Sequence, residues 1–337
     1  MAWELMTVAD DEAVAFDGPV VRRYEGLRPD TDYTYDGVSF RTLPRPGGEL
    51  LARVTTVNDA HFGETQAGVV EGSDVGPVLS AEPGDPPYPV VMNRAAAAEM
   101  AAVEPDAVVV KGDVCSRGTA EEVAAFEACY RPLFGDRLHL VPGNHDVAGS
   151  EVLLPGGPRS LDVPGARFAL LDTTIAGRAS GTVGPDQLDW LDDACAAAGD
   201  DGRAVVVAGH HHAYDPGAGP PDGEYFGIDP AASARLAAVI ARRPAVVAVL
   251  AGHTHRNRVR RFAVTGGLPW IEVAAVKDFP GTWAEYRVFD GGVLQVHRRI
   301  AEPAAVAWSE RCRALYFGLY PDYALGTLGD RCLALGG

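Results

Sequence analysis

Five short strings in this 337-residue chain gather metal-binding and proton-moving side chains. Asp59-Ala60-His61 sets a carboxylate and an imidazole two residues apart. In extended backbone, residues i and i+2 point the same way, so the pair can grip one ion. Gly112-Asp113 puts a carboxylate beside a turn, where its two oxygens can serve two ions. In Gly143-Asn144-His145-Asp146 the Asn144 carbonyl is a neutral oxygen ligand, His145 is free to move a proton, and Asp146 can fix its tautomer. Gly209-His210-His211-His212 clusters three imidazoles, and Gly252-His253-Thr254-His255 again spaces two by i, i+2. Each string also has a bland reading. A lone D-x-H arises by chance, a Gly-Asp is commonly a turn or helix cap, and a single His is more often a satisfied structural residue than a ligand.

Position argues for chemistry. Each string follows a short apolar segment that reads as a strand: 51–58, 107–111, 138–141, 204–208 and 246–250. Open α/β sheets hold their ligands just past such strand ends.

Taken in order, D-x-H, G-D, G-N-H-D, G-H and G-H-x-H resemble the calcineurin-like metallophosphoesterase superfamily, over roughly residues 51–300. Leu171-Asp172-Thr173 agrees with its pattern, as do Gly181, Gln187, Trp190 and Leu191. The resemblance implies a hydrolase with two metal ions. Asp59, His61, Asp113 and His255 would hold the first, and Asp113, Asn144, His210 and His253 the second, with Asp113 bridging. Choosing His210 over His211 follows Val207-Ala208-Gly209-His210, which is similar to the purple acid phosphatase form of the motif. His145 would stabilise phosphoryl charge or protonate the leaving oxygen, oriented by Asp146, while His211, Arg117 and Asn58 would meet substrate. The chain departs from the family in three places. Asn58 stands where Ser is common, Cys115-Ser116-Arg117-Gly118 replaces T-D-x-G, and His212 replaces Pro.

Such a centre suits phosphate esters because two cations about 3.5–4 Å apart neutralise the phosphate and lower the pKa of a water between them, whose hydroxide attacks phosphorus in line. With neutral imidazoles the protein ligands bring two negative charges, from Asp59 and Asp113, so two divalent ions leave the pocket positive. Nitrogen and oxygen donors without thiolate favour Mn, Fe or Zn, divalent or in mixed valence. A phosphodiesterase is the preferred reading, with 3′,5′-cyclic nucleotides among its candidate substrates by similarity to bacterial cyclic-nucleotide phosphodiesterases. A phosphomonoesterase or nucleotide phosphatase with the same site is the alternative. A non-catalytic metal-binding scaffold is disfavoured, since neither a ligand nor His145 is missing.

The elements that must position these residues alternate strand and helix. Helices are expected at 89–103, 119–130, 185–198 and 230–242, and a further strand at 167–173. Four segments, 258–264, 270–276, 284–289 and 293–300, read as consecutive antiparallel strands. The rhythm supports an α/β fold with an added antiparallel run. The resemblance refines it to a four-layer α/β/β/α sandwich. Residues 1–48 read as a β-rich appendage, with 33–40 as a strand after a corner that resembles the tyrosine corner of fibronectin-type sandwiches. Residues 49–300 form the main domain, and 301–337 an aromatic tail that packs on it or on a second subunit of a homodimer. Gly- and Pro-rich stretches 72–89 and 215–229 read as loops around the site.

Composition bounds the partners. A formal charge of −17 argues against nucleic-acid polymers and anionic membranes, though not against a small phosphate ester met by local cations. The five scattered cysteines suit reduced thiols, and residues 1–10 lack a basic start and an apolar run, so the cytoplasm is the expected location.

Overall fold

Alternation along the strands builds a core with two faces. In Ala107–Lys111, Ala107 and Val109 enter one apolar cluster, while Val108 and Val110 enter another on the opposite side. A strand buried on both faces needs cover on both, which is the requirement a layered α/β architecture meets.

The structure, a computed structural model, describes residues 3–70, 72–149, 154–221, 223 and 225–336. At the N-terminus β1 (Glu4–Val8), β2 (Glu12–Asp17) and β3 (Val20–Glu25) form an antiparallel sheet, and β4 (Asp32–Tyr35) pairs with β5 (Val38–Arg41). Then come β6 (Leu50–Val57), α1 (Tyr88–Ala102), β7 (Ala107–Lys111), α2 (Ala120–Phe134) and β8 (Leu138–Val141). They are followed by β9 (Arg159–Val163), β10 (Ala166–Leu170), α3 (Pro185–Asp200), β11 (Ala204–Ala208), α4 (Pro230–Ala241) and β12 (Val246–Ala251). Four strands lead to the tail: β13 (Arg258–Arg261), β14 (Pro269–Glu272), β15 (Thr282–Phe289) and β16 (Gly292–Arg299). The tail holds α5 (Pro303–Cys312), α6 (Tyr320–Ala324), α7 (Leu328–Arg331) and β17 (Leu333–Leu335).

Two six-stranded mixed sheets result, in the orders β17-β16-β15-β6-β7-β8 and β13-β14-β12-β11-β10-β9. Ala52, Val54, Val109, Phe168, Val206, Leu250 and Tyr286 meet between them. Met92, Met100, Phe126 and Tyr130 of α1 and α2 cover the outer face of the first sheet, and Leu188, Leu191, Leu236 and Ile240 of α3 and α4 that of the second. This is the expected α/β/β/α sandwich.

Several local expectations change. The single strand at 33–40 is a hairpin, because Asp36 and Gly37 both adopt positive φ, 51° and 81°. Two such residues make the tight turn that matches strand twist. The last four strands are no simple meander. β14 runs parallel to β12, whereas β15 crosses to the other sheet and pairs antiparallel with β6. Strand β9, at the edge of its sheet, was not expected, and helices resume after residue 302.

The appendage docks on the first sheet: Thr7 Oγ1 donates to the His297 carbonyl at 2.7 Å, and Arg287 donates to Asp10, Asp11 and Glu12 at 2.6–2.8 Å. At its corner the Tyr33 hydroxyl accepts from the Arg28 amide at 2.9 Å. The tail packs on its own chain, with β17 antiparallel to β16 and Trp308 stacked on Tyr88 at 4.1 Å. Within the loop 215–229, positions 222 and 224 lie outside the described residues.

Candidate metal centre

Strands β6, β7 and β8 run parallel in one sheet, and β11 and β12 in the other, so their carboxyl ends gather the five loops at one edge. Backbone bonds stitch the loops together. The Asp59 amide donates to Gly112 O at 3.1 Å, His61 N to Asp113 O at 2.9 Å, and Gly252 N to His210 O at 2.9 Å. Close approach explains the glycines. At Gly112, with φ of 82°, an added Cβ would lie 2.5 Å from His210 Nδ1, and at Gly252 it would lie 2.9 Å from Asp59 Oδ2.

The side chains converge as overlapping groups of donors. Asp59, His61 and His255 form one; His61, Asp113 and His145 a second; Asp59, Asp113 and His210 a third; His210, His211 and His253 a fourth. In each group the donor atoms lie within 4.8 Å of one another. His210 Nε2 sits 3.2 Å from both Asp113 Oδ2 and Asn144 Oδ1, and His255 Nε2 sits 3.4 Å from Asp59 Oδ1. Asp59, His61, Asp113, His253 and His255 all hold left-handed backbone, with φ between 47° and 67°. That conformation is costly for non-glycine residues and clusters at functional sites.

The second ring nitrogens discriminate among the histidines. His210 Nδ1 donates to the Lys111 carbonyl at 2.8 Å, His253 Nε2 to the Phe226 carbonyl at 2.9 Å, and His255 Nδ1 faces Asp278 Oδ2 at 3.2 Å. A metal-bound imidazole characteristically does this with its free nitrogen. His211 instead pairs its Nδ1 with the Thr173 hydroxyl at 2.7 Å. The Leu171-Asp172-Thr173 and Gln187 strings build that contact, since Gln187 binds both backbone groups of Asp172. His212 leaves the cluster and packs against Tyr225 and Phe226.

Electrostatics divides the site. Burial disfavours the charge on Asp59 and Asp113, but the facing His255 and His210 hold both carboxyls below their ordinary range. Burial likewise disfavours the cations of His210 and His255. Asp113 nevertheless lifts the first to about 9, and Asp59 with Asp278 lifts the second to about 10. Burial lowers His61 to about 3 and His253 to about 4. The donor set fits a pair of borderline cations. It offers nitrogen and oxygen without thiolate, and among the described residues His61 Nε2 has no hydrogen-bond partner despite its burial.

Three expected substrate-side and catalytic roles find different surroundings. Asn58 is fully buried, with its polar atoms engaged by protein: its amide donates to Asp59 Oδ2 at 2.5 Å and Val273 O at 3.0 Å, while its carbonyl accepts from Lys111 Nζ at 2.5 Å. Asp146 does not touch the His145 ring. Its carboxylate accepts from the Cys115 and Gly143 amides, both at 2.8 Å, and burial followed by the Asp113 charge raises it to about 7. Neighbouring side chains in this turn diverge, and His145 Nδ1 meets the Ser116 carbonyl at 2.8 Å instead. Arg117 faces solvent, its side chain 73% exposed and 3.2 Å from Glu122.

Sequence reasoning missed the support behind the cluster. Lys111 is fully buried, and burial lowers it to about 7 although the Asp59 charge opposes this. Asp278 links His255 to the tail through the Tyr320 hydroxyl at 2.8 Å and lies 3.2 Å from Lys277 Nζ. A Lys ending an otherwise apolar strand was the one visible signal; Asp278 had none.

The family model for calcineurin-like phosphoesterases matches residues 52–257, more than half of the chain. The chain belongs to that family. Its match ends before β13, so the calcineurin-like phosphoesterase region holds every clustered donor, and the tail lies outside it. The chain is similar to the glycerophosphodiester phosphodiesterase GpdQ of Enterobacter lignolyticus, 32% identical over 175 residues, 47% of this chain and 59% of that protein. It is also similar to the 3′,5′-cyclic adenosine monophosphate phosphodiesterase CpdA of Pseudomonas aeruginosa, 33% identical over 115 residues, 32% of this chain and 40% of that one. The chain thus spans about half the length of the curated relatives it matches. Among solved structures it shares its fold with a dimetal phosphatase from Danio rerio. The TM-score is 0.56 at 15% identity, covering 75% of this chain and 98% of that one.

Proposed function

We propose that this chain is a dinuclear-metal phosphodiesterase acting on small phosphate esters. The observation that carries the reading is the meeting of four overlapping donor groups around Asp113, with the spare nitrogens of His210, His253 and His255 tied to oxygen acceptors. Asp59, His61, Asp113 and His255 would hold one ion, and Asp113, Asn144, His210 and His253 the other. Mn, Fe or Zn suit these donors. When bound, such a pair supplies Lewis-acid neutralisation of the phosphate and water acidified to near neutrality.

The chain's own residues complete the reaction. Since a carbonyl only accepts, Ser116 keeps the proton on His145 Nδ1 and leaves Nε2 to act on a phosphoryl or leaving oxygen. The backbone amide of His145 donates to Asp113 Oδ1 at 2.9 Å, which ties the proton-handling residue to the carboxylate that would be shared by both ions. Asp146 secures the turn beneath it. His211, beside His210 and His253, and Arg117, which follows the Ser116 that meets His145, would contact an anionic ester. A diester preference is favoured by both curated relatives described above, each named as a phosphodiesterase.

The acidic balance disfavours polymeric nucleic acid. No helix among the described residues is long and apolar enough to cross a membrane, and all five cysteines are free thiols. A reducing compartment such as the cytoplasm suits them. Elemental analysis with turnover of bis-p-nitrophenyl phosphate and p-nitrophenyl phosphate tests the reading. About two metal ions per chain and faster diester turnover are expected. Asp113→Ala is expected to lose metal and to lower turnover by at least about a thousandfold. Unchanged metal content and rate in that variant would sink the proposal.

A further inference from the structure

Beside the donor cluster lies a cavity of about 500 Å³, within the range that holds a small organic ligand. Its floor is the His253-Thr254-His255 turn, and its wall is the tail residues Tyr316, Leu319, Tyr320 and Tyr323. The tail lies beyond the family match, so the shared region does not dictate this wall.

The wall is apolar in a specific way. Among the described residues, no carboxylate, ammonium or guanidinium lines the cavity. The hydroxyls of Tyr320 and Tyr323 are already engaged, donating to Asp278 Oδ1 and to the Thr254 carbonyl, both at 2.8 Å. These rings therefore offer carbon surface to a ligand. Leu319 stands 66% exposed. Tyr316 and Phe317 are consecutive non-glycine residues at φ of 52° and 56°, pinned where the Phe317 amide donates to Gly76 O at 2.7 Å. Strain of this kind persists where the surroundings demand a particular placement. Here it sets Tyr316 on the wall.

We propose that this cavity receives one organic group of the ester, and that the group is uncharged and aromatic, such as a nucleobase or an aryl ring. This rests on the phosphodiesterase reading, which puts the phosphate on the donor cluster. A glycerol group would find few free polar partners on the wall. A quaternary ammonium is disfavoured too, since the Arg256 guanidinium already lies 5.1 Å from the Tyr323 ring centre.

Calorimetric binding to the Mn²⁺-loaded protein tests the inference with methyl phenylphosphonate and methyl ethylphosphonate, monoanions that differ only in the aromatic group. The phenyl compound is expected to bind about tenfold tighter, the equivalent of partly burying one ring. A Tyr316→Leu/Leu319→Ala variant, its folding checked by its unfolding midpoint, is expected to bring that ratio to within about twofold of unity. Equal binding in the wild type, a ratio that survives the variant, or tighter binding of glycerophosphocholine would each overturn the inference. Turnover of bis-p-nitrophenyl phosphate, measured in parallel, decides the phosphodiesterase reading separately from the binding ratio.

Discussion

Five of the clustered residues sit in left-handed backbone, at a cost of about 1–2 kcal/mol each in an unsupported chain. The loops tolerate this because backbone bonds between Asp59, His61, Gly112 and Asp113 hold them from both sides. The outer contacts do comparable work for the imidazoles. Asp278 orients His255, and as a carboxylate it also raises the basicity of that ring. Asp278→Asn should keep the shape and lose the charge, weakening metal binding by about 10- to 100-fold. Chelator competition on the purified variant reads this directly, and wild-type affinity would show that Asp278 only packs. Lys111 works from behind in the same spirit, holding Asn58, which in turn meets Asp59.

Elements carry these residues to one place. Parallel strands in two facing sheets deliver their carboxyl ends to a common edge, and helix caps hold the loops that leave them. Helix α2 shows the coupling. Thr119 and Glu122 form a reciprocal cap, and Glu122 Oε2 also accepts from the Arg117 amide at 2.9 Å. The cap thus shapes the loop that follows Asp113 as well as starting the helix. Thr119→Ala should cost about 1 kcal/mol of stability, read as a lower urea midpoint at unchanged slope. A shift smaller than the error of the midpoint would mean that Glu122 alone holds this corner.

Across the whole molecule, the N-terminal appendage is joined to the first sheet by a buried ion network. Glu285, fully buried, meets Arg53 and Arg298 at 2.5 Å and Arg287 at 3.0 Å, while Arg287 reaches on to Asp10 and Glu12. Burial works against the Glu285 charge, but Arg298 and Arg287 outweigh it and lower its pKa from 4.5 to about 2. A depressed carboxyl stabilises the fold fully above its unfolded value and loses that contribution as pH falls through the folded one. Stability should therefore drop between pH of about 4.5 and about 2. In Glu285→Gln the slope of unfolding free energy against pH should be shallower there by up to one proton. An identical slope would place the acid sensitivity elsewhere.

Much of this protein was legible in its residues. Apolar runs bounded by Gly and Pro marked β6, β7, β8, β11 and β12 almost to the residue, since strands buried on both faces leave a continuous apolar trace. Motif residues just past those runs supplied the side chains that cluster as candidate donors, because ligand chemistry restricts residue type. What lay beyond reach depends on direction and on distant partners. Whether Asn58 faces substrate or core, and whether His145 is held by Asp146 or Ser116, turns on backbone angles that residue type does not set. Asp278 and Tyr320 reach His255 only once β14 has ended and the chain has crossed to the other sheet. Sequence determined which atoms could bind; the tertiary fold decided which way they point and what stands behind them, because those contacts join residues far apart in the chain.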